Sequence, residues 1–143
     1  MQHETSAKYL LRTLARSLPI GPSARIILCS SMIRPWEEIH SFYSTLRDTE
    51  SSRAMVQLVR EIESSRYKAG LFAWTSAFDL CIVQTPVTYP YDGPYLKISP
   101  ANDGQLEFRY IDTPVEAKQW RRVVAAPDGF ARLERLLEHL HWF

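Results

Sequence analysis

The stretch from Tyr95 to Tyr110, YLKISPANDGQLEFRY, can pair with itself in only one useful register. Leu96 and Ile98 alternate with Lys97 in its first half, and Leu106, Phe108 and Tyr110 alternate with Glu107 and Arg109 in its second. Successive side chains of a strand point to opposite faces, so a slip of one residue carries an apolar set to the wrong side of the sheet. Both sets reach one core only if the connecting loop has an odd number of residues. The loop Asn102-Asp103-Gly104 meets that condition, and it offers Gly104 for the left-handed conformation that three-residue hairpin loops require. Ile98 should then lie opposite Phe108, and Leu96 opposite Tyr110. A two-residue Asp-Gly turn would turn one strand over and is rejected on that ground.

The hydrophobic period changes along the chain. Before Gly70 it is helical. Ala7, Leu10, Leu11, Leu14 and Leu18 form one stripe over residues 6–18, with Thr5 or Ser6 as cap and Pro19 as stop. Trp36, Ile39, Phe42, Tyr43 and Leu46 form a second, with Pro35 at the first helical position and Glu37 and Glu38 at the positive end of the dipole. Ala54, Met55, Leu58, Val59 and Ile62 form a third, with Gly70 just past its end. Residues 24–33 suit a buried strand or a helix; no turn residue separates Ser23 from Arg34, which favours a helix running on toward the next one.

After Gly70, residues 71–85 are β-branched and aromatic and read as two strands or one bent one. Residues 119–124 supply a further strand. Asp128 then caps a helix that aligns Phe130, Leu133, Leu136, Leu137 and Leu140, and Trp142 and Phe143 follow, expected to dock on the sheet. The fold class is α+β: N-terminal helices, a mainly antiparallel sheet from about residue 71 to 125, and a C-terminal amphipathic helix packed on one face of the sheet. At 143 residues the chain fits a single globular domain, 1–143.

Composition excludes several classes. With 17 basic and 16 acidic residues the net charge is +1, which gives no general attraction to nucleic acid. Lys8 and Arg12 interrupt the N-terminal apolar run, and no stretch is long enough for a membrane span, so a cytoplasmic protein is expected. Cys29 and Cys81 sit in apolar runs and read as buried free thiols. Five glycines, none in a phosphate-cradling arrangement, set aside the common nucleotide folds, and nucleophile-elbow and zinc motifs are absent. His139 and His141 are two apart on a helix and point to opposite sides, so they share no metal. His40 reads as a polar-tipped packing residue. No cofactor and no metal site is expected.

One charged group invites a catalytic reading. Asp92 precedes a strand, Glu107 and Arg109 project from one face of the partner strand, and Lys97 is diagonal to them. Some metal-dependent nucleases hold an ion with an Asp and a Glu-x-Lys on adjacent strands. Here the third position is Arg109, which is no base. The same residues are accounted for as the solvent face of a hairpin whose opposite charges pair diagonally. Asp92, Glu107 and Lys97 therefore stand as the alternative, a small hydrolase or nuclease.

The favoured surface is the segment 88–100. Pro86, Pro90, Pro94 and Pro100 stiffen it, Asp92-Gly93 marks a turn, and it leads into an edge-like strand. A stiff loop loses less entropy on binding, and tyrosine is enriched at interfaces. Tyr89, Tyr91 and Tyr95, with Lys97 and Arg109 on the hairpin, are the candidate binding residues. A basic groove from Lys97, Arg109, Arg121 and Arg122 would be needed for stacked nucleic acid, and Asp92, Glu107 and Asp112 oppose it. The size, architecture and lack of catalytic motifs are similar to those of small bacterial binding proteins of immunity or adaptor type. A non-catalytic module binding a protein partner, or a second copy of itself, is the expected function.

Overall fold

The computed structural model describes residues 31–143. The helix expected over 6–18, Cys29 and most of 24–33 lie outside the described residues. Ser31 to Arg34 are described and are not helical. Ser31 bridges to Thr88, and Arg34 bridges to Ala73, its N–H donating to the Ala73 carbonyl at 2.8 Å. The expected helix does not continue through these residues. Arg34 precedes Pro35, whose ring disfavours the helical conformation in the residue before it.

Helix α1 (Trp36–Ser44) begins one residue later than expected, with Pro35 at the cap in an extended conformation (φ −60°, ψ 146°). It buries Trp36, Ile39 and Tyr43. The Trp36 indole N–H donates to the Leu71 carbonyl at 3.1 Å, and the Tyr43 hydroxyl donates to the Phe78 carbonyl at 2.9 Å. Burial pushes the Tyr43 hydroxyl far above the ordinary tyrosine range.

Helix α2 (Glu50–Glu63) opens on a capping box: the Thr49 hydroxyl accepts from the Ser52 N–H at 3.1 Å, and the Ser52 hydroxyl accepts from the Thr49 N–H at 2.9 Å. Ala54, Met55, Leu58, Val59 and Ile62 are all buried, as their spacing requires. The cap residue after this helix is Ser64, so Gly70 is not its terminator. Gly70 serves instead as a platform, because a Cβ there would meet the Phe143 ring at 2.7 Å.

Five strands follow in an antiparallel sheet whose order is the chain order: β1 (Phe72–Ser76), β2 (Asp79–Val83), β3 (Tyr95–Pro100), β4 (Gln105–Ile111) and β5 (Trp120–Ala125). Residues 71–85 thus form two strands, joined by Ala77 and Phe78 with Ala77 in the left-handed region (φ 53°). In β3–β4, Ile98 lies opposite Phe108 and Leu96 opposite Tyr110, the register demanded by alternation. Gly104 is left-handed (φ 71°), and Asp103 is left-handed as well (φ 59°). The Ala101 N–H donates to the Gln105 carbonyl at 2.8 Å and closes the loop. The start of α2 seats on that loop, with the Ser51 hydroxyl donating to the Ala101 carbonyl at 3.2 Å.

Strand β3 is not edge-like; it is the middle strand of five. Proline is admitted because β2 pairs with β3 only from Leu80–Ile98 to Ile82–Leu96, leaving Pro100 past the last of these pairs. The sheet is buried on its first face against the helices. Leu80, Ile82, Leu96, Ile98, Leu106 and Phe108 are all fully buried there, with Met55, Leu58 and Ile62 of α2 and Leu133 and Leu137 of the last helix in the same cluster. Each large side chain so buried contributes about 1.5–3 kcal/mol. At β1 and β2 the second face is buried too, at Trp74, Cys81 and Val83. Cys81 is a buried cysteine.

Helix α3 (Gly129–His139) follows a short turn, Ala126–Asp128. Asp128 occupies the cap position, but its side chain makes no cap hydrogen bond. Leu133, Leu136 and Leu137 are buried, while Phe130 and Leu140 pack half-buried against the core. The helix closes in a Schellman arrangement: the His141 N–H donates to the Glu138 carbonyl at 3.1 Å and the Trp142 N–H to the Leu137 carbonyl at 2.9 Å, with His141 left-handed (φ 60°). The Trp142 ring packs edge-on to Tyr110 of β4 at 6.4 Å. The Phe143 ring packs on Tyr67, between α2 and β1, at 4.9 Å, and against Gly70.

Among the described residues, Ser31, Met32 and Val87–Tyr91 belong to one compact unit, and Ile33–Pro86 with Asp92–Phe143 to another. No described helix is long and apolar enough to cross a membrane.

Gly129 tests the packing of α3. A Cβ at this position would meet the Leu106 Cδ1 at 2.7 Å, and Leu106 is fully buried. Gly129→Ala should cost about 1–3 kcal/mol in urea denaturation despite alanine's better helix propensity. In a Leu106→Ala background the same change should be neutral or stabilising, because the space it needs has been opened.

Candidate functional site

Alternation along β3, β4 and β5 sends Tyr95, Lys97, Glu107, Arg109, Arg121 and Val123 to the second face of the sheet, away from the helices. The pairing aligns three cations in one row across three strands, since Lys97 lies opposite Arg109 and Arg109 opposite Arg121. Like charges directly opposite each other repel. Carboxylates set off the row relieve that repulsion. Asp79 lies 3.6 Å from the Lys97 ammonium, and Glu107 lies 3.4 Å from Arg109 and 3.3 Å from Arg121 through its two oxygens. Glu116 adds a second contact to Arg109 at 3.4 Å. The side chains of Arg109 and Glu107 are only 17% and 23% exposed, so this network is half-buried and does not form a fully solvated face.

The structure places the candidate residues as follows. Tyr95, Lys97 and Arg109 share the second face. Tyr95 is half-buried and packs on Trp74 with ring centres 5.4 Å apart. Burial pushes its hydroxyl above the ordinary tyrosine range, with Cys81 and Asp79 adding to the effect. Tyr89 and Tyr91 are half-buried as well, but they belong to the other compact unit, in an excursion of the β2–β3 connection. Arg122, counted with Lys97, Arg109 and Arg121 as a possible basic groove, points to the opposite face from those three because it follows Arg121 directly.

Asp92 and Glu107 are not brought together. Glu107 pairs with Ser99 near the end of β3, four residues or about 13 Å along the strand from Tyr95. Asp92 lies beyond Tyr95, before the strand begins, and is exposed. The carboxylate that meets Lys97 is Asp79, which the sequence did not single out because it sits at a hairpin turn on another strand. Among the described residues no group of three His, Cys, Asp or Glu side chains is arranged to hold a metal ion. His40 pairs with Glu63, its Nδ1 lying 3.3 Å from the carboxylate.

A second group went unnoticed in the sequence. Arg122 of β5 faces Arg132 and Arg135 of α3 across a cavity of about 540 Å³, with Trp120 and Tyr110 in its wall. Arg132 and Arg135 are three apart on the helix and so share a face. Their spacing was legible; their juxtaposition with Arg122 depends on how α3 crosses the sheet.

The second-face network predicts a salt-dependent defect. Glu107→Gln removes the carboxylate shared by Arg109 and Arg121 and leaves those cations opposed. Stability should fall by about 1–2 kcal/mol at low ionic strength. Part of the loss should be recovered in high salt, which screens repulsion. Equilibrium denaturation at two salt concentrations measures both. Comparison with protein-family models, with curated proteins and with solved structures finds no match.

Proposed function

We propose that this chain is a non-catalytic module that binds a protein partner, in the manner of small immunity or adaptor proteins. The observation that supports the reading is the state of β5. It is the last strand of the sheet, five of its six residues are exposed, and Trp120 and Val123 remain 39% and 48% accessible. Among the described residues no hydrogen bond closes its outer side, whereas the outer side of β1 receives the Arg34 N–H. An open edge accepts a strand from a partner, with backbone hydrogen bonds supplying affinity and alternate side chains supplying selectivity.

The charged second face runs directly onto this edge. Arg121 and Val123 are the first residues a partner meets, and the Glu107–Arg109 pair lies one strand in. Charges fixed in that pattern steer and orient a partner more than they tighten it. Tyr95 and Lys97 lie further in on the same face. Tyr89 and Tyr91 are a separate part of the proposal, as aromatic groups of the kind interfaces favour.

A photo-crosslinking residue in place of Val123 should give one discrete adduct in cells, and the same residue in place of Gln57, exposed on α2, should give none. Adding Arg121→Glu should abolish the adduct in a chain that circular dichroism shows still folded. An adduct of twice the chain's mass would identify the partner as a second copy. Equal adducts from positions 57 and 123 would overturn the reading.

A further inference from the structure

Trp120, Arg121, Arg122 and Val123 make up most of β5, the last strand of the sheet, and all four are exposed. Alternation divides them between the faces. Arg121 and Val123 lie on the second face, Trp120 and Arg122 on the helix side. Two adjacent cations are thus bracketed by two apolar residues, with one of each kind on each face.

The cations are short of acid. Arg121 meets Glu107 at 3.3 Å through its Nε, but Glu107 is shared with Arg109, and the Arg121 side chain stays 53% exposed. Arg122 forms no ion pair among the described residues, and neither do Arg132 and Arg135 of α3, which border the same groove. The apolar residues are uncovered too, with Trp120 39% and Val123 48% accessible. Trp120 edges the groove between β5 and α3, whose lining from Tyr110, Leu136, Leu140 and the arginines is almost wholly apolar. An arginine on such a wall gives it the hydrocarbon stem and keeps the charged head in water.

A segment paired on this strand answers each residue in turn, because residues opposite one another point to the same face and touch. Opposite Arg121 and Arg122 the favourable side chains are carboxylates. Opposite Trp120 and Val123 they are apolar, and the one opposite Trp120 borders the groove. We propose that the partner docked on β5 is a different chain, one that presents an extended apolar-acidic-acidic-apolar segment. The proposal rests on the reading of β5 as the docking edge and adds what the partner must carry. The pattern reads the same in both directions, so it holds for either sense of strand addition. A second copy of this chain does not supply it. Glu37 and Glu38 are its sole adjacent acids, and the flanking Trp36 and Ile39 are buried in α1. Pairing β5 with its own copy would also gather four arginines along one seam.

Fluorescence anisotropy with labelled ten-residue peptides tests it. The reference probe is Thr-Thr-Thr-Val-Glu-Glu-Phe-Thr-Thr-Thr. Lysines in place of both glutamates, or serines in place of valine and phenylalanine, should each weaken binding about tenfold or more. The rearranged core Glu-Val-Phe-Glu, of equal composition and charge, should lose as much. Arg121→Gln and Arg122→Gln should each weaken the reference probe by about twofold to fivefold. A chain carrying both Arg121→Glu and Arg122→Glu should bind the lysine probe more tightly than the reference probe, a reversal that misfolding does not produce. No binding of the reference probe, equal binding of the rearranged core, or no reversal would each overturn the proposal. A discrete Val123 adduct in cells on a segment lacking the pattern, a second copy included, would overturn it and leave the reading of β5 standing. Equal adducts from positions 57 and 123 would remove both.

Discussion

The pairing of Ile98 with Phe108 sets the rest of the sheet. Once those two residues share the core face, the pleat assigns every neighbour on β3 and β4, and β5 inherits the same assignment through its own register. Arg122 is thereby turned toward α3 and Arg121 toward the second face. A slip of one residue would exchange them, bury Lys97 and Glu107, and expose Phe108. The left-handed pair Asp103–Gly104 holds this register at the loop, and the first turn of α2 presses on the same loop.

The two faces treat charge differently. On the second face, three cations in a row meet Asp79, Glu107 and Glu116, so each positive charge of the row has a negative neighbour. That network is half-buried, and the Nε of Arg109 within it has no hydrogen-bond partner. On the helix side, Arg122, Arg132 and Arg135 form no ion pair among the described residues.

Much of the architecture was legible in the sequence. The stripes of α1, α2 and α3, the β3–β4 register, the left-handed Gly104 and the buried Cys81 all follow from side-chain period and backbone sterics. The misreadings have local causes. Helix was extended through Ser31–Arg34 although the position before Pro35 resists it. Gly70 was read as a helix terminator, while its smallness makes room for Phe143, a residue distant in the chain. The second face was read as solvent, although the run Leu80-Cys81-Ile82-Val83 is apolar at every position, the mark of a strand buried on both faces.

The sequence by itself determined the class of fold, the faces of the hairpin and the identity of the core, because these depend on periods of two and 3.6 residues that any local stretch displays. The tertiary structure alone decided that β3 is central and β5 the last strand of the sheet, that Lys97 meets Asp79 and not Asp92, and that Arg122 shares the lining of one cavity with Arg132 and Arg135. Strand order and helix crossing are fixed by packing among segments far apart in the chain, and no local pattern encodes which distant side chains that packing brings face to face.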